Sequence, residues 1–162
     1  MDDPIAFFLT WPTYGTWLPG DSRGWVKRLQ GHQLPDPIKE IEAAARMSED
    51  ACRLNAEQRK AVEDQIIETC EHRLWIPHAV NCRSNHVHVV LTAPNTHPKK
   101  IRTDLKAWTT KRLKREFDKQ RSKWWAERGS VRYVFDEDEF IATVLYVKDF
   151  QDHEQVPPPG AF

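Results

Sequence analysis

The chain has 162 residues, is 40% apolar and 30% charged, and carries no net charge, which suits one soluble globular domain with a core of its own. Its mean hydropathy is -0.70, and no apolar run approaches the length of a membrane-spanning helix. The opening Met-Asp-Asp-Pro places acid where a secretory signal needs positive charge, so the expectation is a cytoplasmic protein.

Residues 5–11 form an apolar, aromatic run that predicts a buried strand, stopped by Pro12. Residues 14–25 are dense in glycine and proline and predict an ordered loop, in which the rings of Tyr14, Trp17 and Trp25 need something to pack on. Residues 30–54 show no clear period; with Pro35 and Pro37 early and a short helix around 38–46, they read as a loop and helix insertion. Asn55 is a good N-cap, and Ala61, Val62, Ile66 and Cys70 recur at helical spacing, predicting a helix to about residue 72. Two runs of strand character follow, over 75–81 and 86–92, joined as an antiparallel hairpin by the turn-like Arg83-Ser84-Asn85. After a loop bracketed by Pro94 and Pro98, a basic helix is predicted over 99–119, with Ile101, Leu105, Trp108 and Leu113 as its apolar stripe. A short strand over 131–135 precedes a last helix, opened by Asp136 with Glu139 three residues on and reaching about residue 149. Residues 156–162, with Pro157, Pro158 and Pro159, predict a loose tail behind a single domain over 1–155. The order strand, helix, strand, strand, helix, strand, helix predicts an α+β sandwich of the ferredoxin-like (RRM-like) kind, a mainly antiparallel sheet with helices on one face.

The zero net charge conceals an asymmetry. Residues 99–128 hold twelve Lys and Arg against four Asp and Glu, so this segment carries +8 and the rest of the chain -8. Cations hold phosphates and indoles stack on bases, so the helical Lys106, Trp108, Lys111, Arg112, Lys114 and Arg115, with Trp124-Trp125 nearby, are candidates for a nucleic-acid surface as well as for an ordinary solvated face. Cys52, Cys70 and Cys82 are odd in number, widely spaced and without a Cys-x-x-Cys, which argues against disulfides and against a thiolate zinc site.

His86-Val87-His88 is the sharpest local signal. On a strand, residues i and i+2 share a face, so the two imidazoles form half a metal site while Val87 faces the other way. The same pair can be two neighbouring polar residues, one solvated and one hydrogen-bonded in the core. The apolar flank Val89-Val90-Leu91 marks a central strand, where two polar rings without partners would be costly. Tyr146 lies in the last helix, whose sides are mostly apolar; its ring either joins the core or faces a cleft.

Asn85-His86-Val87-His88-Val89-Val90, then Asp104-Leu105-Lys106-Ala107-Trp108, then Gly129-Ser130-Val131-Arg132-Tyr133 and a late Tyr146-Val147 resemble the single-tyrosine HUH transposases. Together with the opening Thr13-Tyr14-Gly15-Thr16-Trp17-Leu18-Pro19-Gly20-Asp21, they are most similar to the REP-associated tyrosine transposase group. The resemblance spans most of the chain and is weakest over 30–54. It implies that His86 and His88 ligate a divalent metal, Mg²⁺ or Mn²⁺, and that Tyr146 attacks single-stranded DNA, next to a hairpin, to form a 5′-phosphotyrosine. It implies as well a polar third ligand about one turn after the tyrosine. Here the sequence departs from the pattern: Phe150 stands at i+4, Asp149 at i+3 and Gln151 at i+5. On a regular helix Asp149 is the better placed and Gln151 the better match in residue type.

This set makes chemical sense. An ordinary phenol, with a pKa of about 10, is a poor nucleophile at neutral pH unless positive charge is near. A metal and a basic helix beside it would supply that charge, and two imidazoles favour Mn²⁺ or Zn²⁺ over Mg²⁺ by softness. A catalytically inactive or domesticated DNA-binding regulator of the same fold is the alternative, favoured by the altered spacing after Tyr146. A His-x-His hydrolase barrel needs a longer chain. Monomer and homodimer both stay open.

Overall fold

The computed structural model describes residues 3–150, with Phe150 described for its backbone alone. Six strands and four helices follow in the order β1 (Ala6–Pro12), β2 (Trp25–Lys27), β3 (Gly31–Gln33), α1 (Pro37–Ala45), α2 (Ala56–Arg73), β4 (Ile76–Cys82), β5 (His86–Thr92), α3 (Pro98–Glu116), β6 (Ser130–Val134) and α4 (Glu137–Leu145). A π-helical turn, Tyr146–Phe150, continues α4. The anticipated tail, 156–162, and Gln151 lie outside the described residues.

The main sheet has the order β4-β5-β1-β6 and every neighbouring pair is antiparallel, which is the ferredoxin-like arrangement expected from the element order. Alternation along the strands sorts its residues into two layers. Phe7, Leu9 and Trp11 of β1 and Val87, Val89 and Leu91 of β5 pack with Val62, Ile66 and Cys70 of α2 and Ile101, Leu105 and Leu113 of α3. Ala6 and Phe8 of β1, with Val90, face the other way and meet Phe140, Val144, Tyr146 and Val147 from α4 and its π-helical end. Thus α2 and α3 share one face, and the helix leading to the tyrosine covers the opposite one.

Local chemistry fixes the ends of these helices. Asn55 and Gln58 form a reciprocal capping box, each side chain accepting from the other's backbone N–H. Asp136 accepts from the N–H of Glu139 at the start of α4. Gly129 lets β6 approach β1, since a Cβ there would lie 2.3 Å from the carbonyl oxygen of Thr10.

Three expectations change. Trp108 is not part of the buried stripe of α3: it is 41% exposed, and Thr109 takes that position at 1%. Trp124 and Trp125 are buried and cannot stack on bases; Trp125 packs edge-on against Trp11 and donates to Thr109 Oγ1. Residues 25–33 hold a small ribbon, β2 paired with β3, where no strand was anticipated. Its strands are three residues long, too short to show an alternating pattern.

Candidate active site

Strand β5 aims His86 and His88 at the face covered by α4, while Val87 points to the α2/α3 core. The two imidazole centroids are 4.7 Å apart. His88 is fully buried; its Nδ1 lies 2.7 Å from Oγ1 of Thr10, its register partner on β1. His86 Nδ1–H donates to Asn85 Oδ1 at 2.7 Å, which leaves Nε2 as the ring nitrogen that carries the lone pair. Tyr146 closes the group from the start of the π-helical turn, half-buried, with its ring 5.8 Å from that of His88 and 6.2 Å from that of Phe8.

Burial holds both rings neutral. It pushes the pKa of His86 down to about 4, with the positive charges of Arg83 and Arg23 adding to the effect. His88 is driven down as well, first by burial and then by His86. Neutral imidazole is the form that ligates a metal. The Nε2 atom of His88 is buried with no hydrogen-bond partner among the described residues, an arrangement that is costly in a core unless a ligand or substrate meets the atom. On these grounds the pair fits one divalent ion. Among the described residues no three His, Cys, Asp or Glu side chains gather as a metal-holding group, so exposed Asp149 does not complete the pair. Gln151, the other expected ligand, lies outside the described residues.

Residues without a motif position this group. Asn81, opposite His88 on β4, donates through Nδ2 to the carbonyl of Val147 at 3.0 Å and so holds the π-helical turn to the sheet. Arg132 of β6 donates to Thr143 Oγ1, faces Glu139 at 3.7 Å and lies 5.3 Å over Phe8. His78 packs edge-on against Phe140, with Nε2 2.7 Å from Thr92 Oγ1. Thr92 donates its hydroxyl to Ile5, so His78 Nε2–H is the donor to Thr92. Only the alternation of β1, which puts Thr10 on the face of Phe8, could have disclosed any of these partners in advance.

The basic helix departs from expectation. It lies across the sheet from His86, His88 and Tyr146, so α3 supplies no charge to the phenol. Lys106 is turned inward, donating to the carbonyls of Ala126 and Arg128, and burial lowers its pKa to about 8. Arg112 bridges to Glu116 and Glu68. Lys111 lies 5.0 Å over the exposed Trp108 ring, and Lys114 and Arg115 follow on the same helix.

Residues 46–147 match the family described as IS200-like transposases, a span that takes in the His pair, the whole of α4 and the tyrosine. The chain belongs to the IS200-like transposase family. Among solved structures, the chain is similar to a REP-associated tyrosine transposase bound to a REP hairpin, at 13% identity and a TM-score of 0.55, over 90% of this chain. It spans 66% of the length of that protein, and the likeness shows the fold. A protein from Deinococcus radiodurans R1 assigned as a transposase aligns at 13% identity and a TM-score of 0.49, over 97% of this chain and 95% of that one. No curated protein matches the sequence significantly. Among its described residues the chain has no helix long and apolar enough to cross a membrane.

Proposed function

We propose that this transposase nicks and rejoins single-stranded DNA through a covalent bond to Tyr146. The observation that carries the reading is the approach of the Tyr146 ring to 5.8 Å from the His88 ring within one chain. Tyr146 Oη attacks the phosphorus; its O–P bond forms as the bond to the 3′ oxygen breaks. The products are a 5′-phosphotyrosine and a free 3′-OH, which keeps the proton count even. Attack by another 3′-OH reverses the step, so rejoining needs no ATP.

His86 and His88 would hold Mg²⁺ or Mn²⁺, with Gln151 as third ligand. An ion held by these residues would supply Lewis-acid chemistry, polarising the phosphoryl oxygens and favouring ionisation of the Tyr146 phenol. Asp149 forms no metal-holding group with the pair among the described residues, and Gln151 is the better match in residue type, which supports Gln151 over Asp149. The single-chain approach of tyrosine and His pair supports catalysis in cis, open to a monomer as well as a homodimer. Lys111, Lys114, Arg115 and Trp108 would carry flanking DNA on the far side of the sheet, with Arg112 beside them and Lys106 bracing the loop behind them. The hairpin held by the REP-associated neighbour supports hairpin-bearing DNA as substrate, met in the cytoplasm.

The test is an SDS-stable adduct formed with labelled single-stranded DNA and Mn²⁺. Tyr146→Phe should abolish it and leave binding intact; an adduct from the variant refutes the role. A DNA-binding regulator without catalysis is the second reading, favoured by Phe150 at i+4 from the tyrosine. Wild-type protein that binds DNA but forms no adduct decides for it.

A further inference from the structure

The glycine- and proline-rich loop between β1 and β2 is built more firmly than a connection requires. Asp21 is buried and accepts from Arg23 three times, from its backbone N–H, Nε and Nη2, at 2.7–2.8 Å. The same guanidinium donates to the carbonyl of Thr16 and lies 3.6 Å over the Trp17 ring. Gly20, at φ +90°, presses against α1 so closely that a Cβ would stand 2.2 Å from the carbonyl oxygen of Asp36 and 2.5 Å from the N of Glu40. This rigid loop is tied to the candidate site. The hydroxyls of Thr13 and Thr16 each reach the carbonyl of Asn85 at 3.3 Å, and the Asn85 side chain orients His86.

Between loop and α1 runs an open groove of about 470 Å³, lined by Thr16, Leu18, Arg23, Glu40, Ile41 and Arg53. Its chemistry is mixed. Leu18 and Ile41 offer apolar wall, Glu40 offers acceptors, and the fixed Arg23 and the exposed Arg53 offer donors. Arg53 has no ion-pair or hydrogen-bond partner among the described residues. With Asp21 counted, the lining charges balance, which suits a phosphate track poorly. A flat ring with polar edges and one attached phosphate suits it well: apolar contact for the faces, both donors and acceptors for the edge.

We infer that this groove receives one unpaired nucleotide of the DNA strand that passes His86 and His88, and reads its base. The inference rests on the proposed DNA chemistry but reaches beyond it, by giving the protein a part in choosing the sequence beside the cut.

Equilibrium binding tests it, by fluorescence anisotropy on the full chain. The probes are a randomised single-stranded DNA and an abasic deoxyribose-phosphate strand of equal length, long enough to cover a site of roughly 4–16 nucleotides. Wild-type protein should prefer the base-bearing strand by about tenfold. Ala44→Glu, at an exposed helical position on the groove, and Arg53→Gln should each bring that ratio toward one, with the melting temperature unchanged. A ratio equal to wild type in both variants overturns the inference. So does equal weakening of both strands by Arg53→Gln, which marks a phosphate contact. Wild-type protein that binds neither strand refutes the DNA reading as a whole, whereas a normal ratio shift without any Tyr146 adduct leaves the groove standing and removes the nicking chemistry.

Discussion

Thr10 and His88 are register partners on adjacent central strands, and their side chains meet at 2.7 Å on the face that α4 covers. The contact engages His88 Nδ1, so the direction of Nε2 is set by β1 as much as by β5. Thr10→Val keeps the volume and removes the hydroxyl, leaving a buried ring nitrogen without a partner. The expected cost is about 1–3 kcal/mol of stability. Loss of an outer-shell partner should also weaken Mn²⁺ binding about 10–100-fold. Calorimetric titration of Mn²⁺ into variant and wild type checks this, and unchanged affinity would show that Thr10 plays no part in orienting the ring.

Acid should destabilise the metal-free protein. The folded state holds His86 at about 4 and His88 lower than usual, both chiefly through burial. In the unfolded chain these rings take up protons below about pH 6.5. The unfolded state therefore binds more protons between pH 6.5 and 4, and folding stability falls as pH falls through that window. For His86 alone the loss across it is about 3 kcal/mol. Urea titrations in chelator at several pH values measure the fall; a flat profile down to pH 4 would place the rings in contact with water.

How much of this was legible in advance follows from the physics of each element. The four sheet strands and helices α2 and α3 announce themselves through alternation, apolar period and caps such as Asn55. The His pair was legible because a period of two is unambiguous on a central strand. The separation of α3 from the pair was not, because a sequence does not say which face of a sheet a helix covers. Trp108 and Trp125 exchanged roles for a related reason: an indole in a basic helix reads alike whether it packs or projects, and Thr109 Oγ1 in place of Trp108 meets the buried Trp125. The partners Thr10, Asn81 and Arg132 come from three other strands, and no local pattern joins them to Tyr146.

Asn81 predicts a separable positioning effect. Its Nδ2 is the hydrogen bond that ties Val147, one residue past the tyrosine, to the sheet. Asn81→Ala removes about 1 kcal/mol of net interaction and frees the π-helical turn to drift from His88. A shift of an ångström in a reacting group can slow chemistry about 100-fold. Single-turnover adduct formation should slow by at least about tenfold, with DNA affinity held within about twofold. Loss of affinity in step with rate would mean a general structural role instead.

The last prediction separates the cations of α3, which look alike in sequence. Lys111 is exposed over Trp108, and Lys114 also lies on α3; neither forms an ion pair among the described residues. If they meet phosphates, Lys111→Gln or Lys114→Gln should each reduce the slope of log affinity against log salt by about 0.7 for a single strand. Neither should move the melting temperature. Lys106 should do the reverse. Its ammonium closes the loop by donating to Ala126 and Arg128, next to Gly129 and β6. Lys106→Gln should lower stability by about 2 kcal/mol, a fall in Tm of about 4–8 °C, and leave the salt slope as in wild type. Thermal melts paired with salt titrations of all three variants measure both quantities. A salt-slope change in Lys106→Gln without loss of stability would return that residue to the DNA surface.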